Sequence, residues 1–461
     1  LADLNPWWRG KSWKDPDLAA ARGTGLGYEA GVLSDLRAGG LYILRGPRRV
    51  GKTVATKQAI VELTKSGVPG TSIVRVAVDG WAANDLRTVV QNVTLPRPPE
   101  GSRRWWFIDE ATGMVDDWVS VIKWLRDNLP EFANATVVVT GSDASALTGA
   151  IGRWSGRRGE VGERDRTLLP IGFRTFVDLV LDEAPRNIPR LPLADLHSAV
   201  ANEAYHALVP WLGELSRMWS VYLSYGGFPR SAAAAKRGLP IPQDFVDDIF
   251  DVIFRDVFAD SQLSRTAAAT LFSRLMEGMA NPVNYSTIAG DAEVTHPTVI
   301  RHIEYLRNGY LAWTCPRKAA ESWLAWPKAQ PKIYAVDPLV ARLSHLRNAS
   351  RPDVDPTILT EMALGVAVRR AAVADGREWD GDEFLFYYRT PTGNEIDFVS
   401  QLLGDTAIEG KYTSGSWRRE AQTVDASPWR GILATENLLE VDGSEGAWAV
   451  PAGILGYLLD T

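Results

Sequence analysis

Gly46-Pro47-Arg48-Arg49-Val50-Gly51-Lys52-Thr53 decides how the first half of this chain is read. It is a complete G-x-x-x-x-G-K-[ST] loop in the right setting. The apolar run Leu41-Tyr42-Ile43-Leu44 leads into it, and a helix-compatible stretch over residues 54–63 follows. Strand, glycine loop and helix in that order make a cradle for a triphosphate. Backbone N–H groups turn toward the anion, glycine lets the chain fold closely around it, and the helix adds its positive end. Residues 46–54, from Gly46 to Val54, would then line ATP, with Lys52 on the β- and γ-phosphates and the Thr53 hydroxyl on Mg2+.

Working outward, residues 71–78 carry Ile73, Val74, Val76 and Val78 and predict a buried strand. Arg104-Trp105-Trp106-Phe107-Ile108 predicts another and closes on Asp109-Glu110, 57 positions beyond Lys52. An apolar strand ending in two carboxylates is the second signature of a nucleotide hydrolase. Asp109 would bind the magnesium hydration shell and Glu110 would polarise the attacking water. A third strand, 135–140, runs into Gly141-Ser142. Either Ser142 or Thr140 could sense the γ-phosphate there, or the hydroxyl serves as a helix cap or turn. Strands and helices alternating at this spacing imply a parallel sheet with its ligand at the C-terminal edge. The arginine- and glycine-rich stretch 149–166 holds Arg153, Arg157, Arg158, Arg164 and Arg166. It reads either as a mobile loop presenting Arg157 or Arg158 to a neighbour's γ-phosphate, or as a solvated or nucleic-acid-touching loop.

Composition sets the frame. The 461 residues call for two to four domains. An apolar share of 45% with 23% charged is that of a globular protein. No segment approaches the ~18 uninterrupted apolar residues of a membrane span. The single cysteine, Cys315, has no internal partner, which fits a reducing cytoplasm, and no signal peptide is visible after Leu1. A net charge of −6 excludes a chain that coats nucleic acid over its whole surface, though not one with a local basic face. Most of the 18 tryptophans read as core.

These motifs, in this order, resemble the prokaryotic AAA-type ATPases that carry a C-terminal domain of unknown function with a nuclease-like core. The resemblance rests on Gly46 to Thr53, Ile108-Asp109-Glu110, Thr140-Gly141-Ser142 and Gly156-Arg157-Arg158-Gly159. It continues through residues 169–176, Tyr225-Gly226-Gly227-Phe228-Pro229 and Gly393-Asn394-Glu395-Ile396-Asp397-Phe398. One departure is Asp143, where the family has a second serine. The resemblance implies an α/β fold with a P-loop NTPase core (1–177), a helical lid (178–260), a winged-helix domain (261–345) and a restriction-endonuclease-like α/β domain (346–461). It further implies ATP binding; the leading expectation is ATP hydrolysis driving action on DNA, and an arginine shared between subunits would imply a homo-oligomer such as a hexameric ring.

Two further constellations belong to that reading. Tyr285-Ser286-Thr287-Ile288-Ala289, a turn at 293–296 and Pro297 to Leu306 resemble a winged helix-turn-helix. Thr298, Arg301 and His302 would face a DNA groove, unless the domain only packs. Farther on, Glu361 on a helix, Asp397 on a strand and Glu409-Gly410-Lys411 twelve positions later resemble the PD-(D/E)xK nuclease core. Glu361, Asp397 and Glu409 would bind Mg2+ or Mn2+, and Lys411 would orient water. The alternative is a salt bridge at the end of a half-buried sheet. Gly410 stands where that core usually has an apolar residue, and a strand glycine suggests a bulge. The competing function is a nucleotide-controlled switch whose C-terminal domain only binds a partner.

Overall fold

The computed structural model describes residues 1–10, 13–160, 163–254, 263–379, 383–413, 415, 417–441 and 446–460. They divide into two units, residues 1–169 with 308–310, and residues 170–307 with 311–461.

In the first unit, five strands order as β2-β3-β4-β1-β5: β1 (Leu41–Arg45), β2 (Ile73–Ala77), β3 (Trp105–Asp109), β4 (Thr136–Gly141) and β5 (Asp165–Thr167). Every pairing is parallel. The crossovers carry α2 (Lys52–Lys65), α3 (Ala83–Asn92), α4 (Trp118–Asn128), α5 (Pro130–Ala133) and α6 (Ala144–Arg153), after an N-terminal α1 (Pro16–Gly23). The four long strands are buried along nearly their whole length and mostly apolar, the pattern of a parallel sheet covered on both faces. The register Leu41↔Val137 to Arg45↔Gly141, with Trp106↔Val137, lines up the C-terminal ends of β1, β3 and β4. That edge is where the phosphate loop begins.

The second unit opens with α7 (Phe173–Val180), α8 (Ala199–Ala207), α9 (Leu212–Tyr225), α10 (Pro229–Lys236) and α11 (Gln243–Val252). Then come α12 (Arg265–Glu277), α13 (Tyr285–Asp291), α14 (His296–Asn308) and the antiparallel pair β6 (Ala312–Cys315) and β7 (Lys332–Ala335), followed by α15 (Pro338–Arg347). A lone bridge, Pro282↔Lys332, adds a third extended segment beside β7. The rest is α16 (Pro356–Ala374), β8 (Phe386–Arg389), β9 (Glu395–Val399), β10 (Thr406–Gly410), α17 (Trp417–Asp425), β11 (Arg430–Thr435), β12 (Trp448–Pro451) and α18 (Ala452–Leu459). Its sheet orders as β12-β11-β10-β9-β8. The meander β8-β9-β10 is antiparallel, and β11 and β12 then join in parallel, the first of them after the α17 crossover. Among the described residues no helix is long and apolar enough to cross a membrane.

The expected boundaries shift. A cut at 177/178 would divide α7 and one at 345/346 would divide α15, while the 260/261 cut lies outside the described residues. The expected lid helices share a core with the C-terminal segment. Trp219 of α9 stacks edge-on to Phe173 at 4.8 Å and donates from Nε1 to the Thr360 hydroxyl of α16 at 3.0 Å. A side chain at Gly453 or Gly456 of α18 would collide with the α9 backbone or the Trp219 ring. Trp219→Ala should therefore cost about 3–5 kcal/mol. Urea unfolding measures that loss. Hydrogen exchange should show α16 losing protection together with α9.

Candidate functional site

The phosphate loop takes its shape from three positive backbone angles, φ 147° at Gly46, 67° at Arg49 and 103° at Gly51. Gly46 is obligatory, because a Cβ there would run into the Leu168 carbonyl oxygen. Gly51 occupies the N-cap of α2 without a side-chain cap, so the helix presents its first N–H groups to the loop. Around this turn Pro47 and Val50 are buried, Arg48, Thr53 and Val54 half-buried, and Arg49 exposed. Lys52 is buried and donates from Nζ to the Gly46 and Pro47 carbonyls, each at 2.9 Å. Burial pulls its pKa down to about 8, against the opposing pull of Glu110 and Asp109.

At the neighbouring strand ends, Asp109 is almost wholly enclosed. Its Oδ2 meets the Arg75 guanidinium from β2 at 2.5 Å, and its Oδ1 accepts from the Thr140 hydroxyl of β4 at 2.6 Å. The same Thr140 oxygen accepts from the Glu110 backbone N–H at 3.0 Å. Glu110 itself sits at φ 58°, a left-handed conformation uncommon outside glycine. The Thr140 hydroxyl of β4 thus bonds both residues at the end of β3 and holds the Asp109-Glu110 pair in place. Ser142, the other candidate, lies beyond the strand and donates its N–H to the Thr112 hydroxyl at 3.2 Å.

The arginine-rich stretch is tied down rather than loose. Arg158 is buried, forks onto Asp165 at 2.7 and 2.8 Å and donates to the Leu41 carbonyl at 3.2 Å, so it braces the β1–β5 edge. That position corrects its reading as a presented arginine. Arg157 pairs with Asp127 at 2.6 Å in a half-exposed contact. Arg153, Arg164 and Arg166 bond to Asp117, Gly159 and Asp35.

In the second unit Glu361, Asp397, Glu409 and Lys411 do come together, as the spacing suggested. Glu409 accepts the Asp397 N–H at 3.0 Å, Asp397 Oδ2 accepts the Gly410 N–H at 2.9 Å, and Lys411 lies 2.9 Å from Glu409 Oε1. Gly410 marks no bulge. It pairs regularly with Ala434, and a Cβ there would lie 3.0 Å from the Glu361 backbone, so glycine is what lets α16 press against β10.

Sequence reasoning missed the centre of this cluster. Lys332 of β7 is buried, with Nζ 3.0 Å from Glu361, 2.8 Å from Glu395 and 3.2 Å from Asp397. The Tyr334 hydroxyl donates to Glu361 beside it. Burial opposes the Lys332 charge, yet the carboxylates of Asp397, Glu361 and Glu395 hold its pKa well above the ordinary value. Burial and the nearby Asp397 push both Glu361 and Glu409 up to about 8. Among the described residues no group of three or more histidine, cysteine or acidic side chains is disposed to hold a metal ion. Two of the expected ligands, Glu361 and Asp397, meet the Lys332 ammonium, while Glu409 pairs with Lys411. Arg75, the other residue missed, did leave a signal as the lone charge inside a buried apolar strand.

His302 is likewise corrected. It is buried in α14, with Nδ1 2.7 Å from the Thr298 carbonyl oxygen, whereas Arg301 is exposed and Thr298 bonds to Thr295.

With this geometry in place, the AAA domain family model matches residues 39–177. That segment is an AAA-type P-loop ATPase domain. A second family, a domain of unknown function (DUF8612), matches residues 216–350, which include Lys332 but end before α16. No curated protein matches the chain. Among solved structures, a Walker-type ATPase of Pyrococcus abyssi is 12% identical, covering 72% of this chain and 96% of that one at a TM-score of 0.35. The ORC2 protein of Aeropyrum pernix is also 12% identical, over 72% and 92% at 0.33. Thermotoga maritima RuvB is 15% identical, over 70% and 96% at 0.28. Likeness at this level bears on neither substrate nor partner.

The lowered Lys52 pKa yields a prediction. Between about pH 8 and the ordinary value of 10.5 the unfolded chain keeps a proton that the folded chain has lost, so this group's contribution to stability rises with pH. In nucleotide-free melts, the stability of the parent relative to Lys52→Met should improve by roughly 1–3 kcal/mol from pH 7.5 to 10.5. A difference that stays flat across that window would contradict the burial of a charged Lys52.

Proposed function

We propose that the chain is an ATP hydrolase whose turnover is coupled to DNA engaged by the second unit. The observation that carries this reading is the convergence of β1, β3 and β4 on one edge. There a loop of fixed positive-φ geometry faces a carboxylate pair organised by Thr140. Lys52, already held at the loop by neutral carbonyls, exchanges those partners for phosphate oxygens. Thr53 and Asp109 are the residues that would hold Mg2+, which when bound offsets phosphate charge. Asp109 keeps lone pairs for this because each of its oxygens accepts only one bond, from Arg75 or from Thr140. Glu110 orients the attacking water and takes its proton. Thr140 is a positioning residue that fixes both acids, and Ser142 is the remaining candidate for γ-phosphate contact.

The DNA reading rests on α12 to α14 with the β6–β7 pair and the Pro282↔Lys332 bridge, an order matching a winged helix. Arg301 and Arg307 lie exposed along α14 and would meet phosphates, with Glu304 between them. The segment from α16 to β11, a helix, three antiparallel strands, a crossover helix and a parallel strand, is the order of a restriction-endonuclease-like fold. A homo-oligomer, with a hexameric ring as one form, belongs to the same reading. Arg157 is then the arginine able to reach a neighbour, since a half-exposed pair costs little to exchange.

One observation favours the alternative of a switch whose C-terminal domain binds rather than cuts, namely the ammonium among its carboxylates. Turnover separates the two. Steady hydrolysis stimulated by duplex or single-stranded DNA supports the coupled enzyme, whereas slow turnover with tightly retained nucleotide supports the switch. Glu110→Gln should lower kcat about 10²–10⁴-fold while ATP still binds. Lys52→Ala should lose ATP binding, and normal hydrolysis by that variant would end the proposal. Arg301→Ala with Arg307→Ala should weaken DNA binding and flatten its salt dependence.

A further inference from the structure

Resting on the nuclease-like reading of the C-terminal fold, we infer that Lys332 is a built-in cation standing where that fold would place a divalent metal, so that the domain performs no metal-dependent phosphodiester cleavage. The geometry is that of a filled site. Lys332 Nζ lies at hydrogen-bond distance from one oxygen each of Glu361, Asp397 and Glu395, at 3.0, 3.2 and 2.8 Å. Those carboxylates arrive from α16 and from β9, a strand of a different sheet from β7, and they meet on the single charged atom of β7.

Other donors reach the same acids. Glu361 Oε1 also takes the Tyr334 hydroxyl, Asp397 Oδ2 takes the Gly410 N–H, and Glu409 is held between the Asp397 N–H and Lys411. A magnesium ion needs oxygens at about 2.0–2.1 Å in near-octahedral order. To arrive here it would displace Tyr334 or backbone donors and sit against a fixed ammonium of like sign. The ammonium has no way out by rotation, because Lys332 is enclosed and its backbone is paired on both sides, to Cys315 and to Pro282. One lysine thus supplies the cation that Glu361, Asp397 and Glu395 share.

The test is metal rescue, read as thermal stability of the full chain without nucleotide, with MnCl2 as probe. Wild-type protein should show no Mn2+-dependent rise in Tm and no stoichiometric Mn2+ relaxation signal. Lys332→Ala should melt lower, and saturating Mn2+ should raise its Tm by about 5–10 °C. The rise should vanish in Lys332→Ala with Asp397→Asn. Should Lys332→Ala not accumulate folded, refolding in Mn2+ against EDTA decides, since recovery only with Mn2+ supports the inference and recovery in neither overturns it. Stoichiometric Mn2+ binding to the wild type that Asp397→Asn abolishes would overturn the inference and leave the nuclease-like reading standing. Absence of Mn2+ binding in both wild type and Lys332→Ala would instead remove the nuclease-like reading. ATP hydrolysis reports on neither outcome, so its failure is read separately.

Discussion

A carboxylate enclosed at the end of a strand must meet a cation or surrender its charge, and this constraint shapes both units. Leaving such a group unanswered costs several kcal/mol, more than most single packing contacts contribute. In the first unit Asp109 is answered by Arg75 from the adjacent strand. In the second, Asp397 and Glu361 are answered by Lys332, and Asp460 by Arg370. In each case the partner is remote in sequence or lies across a loop. The charges therefore specify which strands and helices lie together more sharply than apolar burial can, since apolar contact is non-directional.

The same constraint separates the chemistry of the two clusters. At the phosphate-loop edge the neutralisation is partial: Arg75 takes one oxygen of Asp109 and a neutral hydroxyl takes the other, while Glu110 is half-buried just beyond the strand. An arrangement of that kind keeps lone pairs and a half-buried acid near the loop. At the second cluster the acids meet cations of their own, and Gly410 lets α16 close onto β10. Similar residue types thus yield an electrostatically available edge in one unit and a satisfied interior in the other.

What was legible in the sequence were motifs contiguous along the chain, because a strand, loop and helix in succession fix their own relative placement. The phosphate loop and the Asp109-Glu110 strand end were found on that basis, and the Glu361, Asp397, Glu409 and Lys411 grouping through its resemblance to a nuclease core. What stayed hidden depends on pairing across strands. Arg75 belongs to Asp109 only because β2 lies beside β3, and Lys332 to Asp397 only because β7 reaches the β8–β9 meander. His302 and Arg158 were misplaced for a related reason. Helical position and local composition suggested exposure, whereas the Thr298 carbonyl one turn back holds His302 and the half-buried Asp165 holds Arg158.

Lys332 also accounts for the second unit holding together where separate domains were expected. Its backbone knits the β6–β7 pair to the segment at Pro282, and its side chain enters the acids of α16 and β9. The contact continues one step away, where Lys318 donates its N–H to the Tyr387 carbonyl at 2.8 Å and Tyr387 donates to that of Pro316 at 3.0 Å, extending the edge of β8 onto the chain after β6. Backbone pairing of that sort tolerates many side chains, but a buried ammonium among three carboxylates tolerates only one arrangement. The helix-and-hairpin segment and the C-terminal sheet are thereby joined through a charge that neither could bury alone. A movement that parted them would have to expose Lys332 and its acids together.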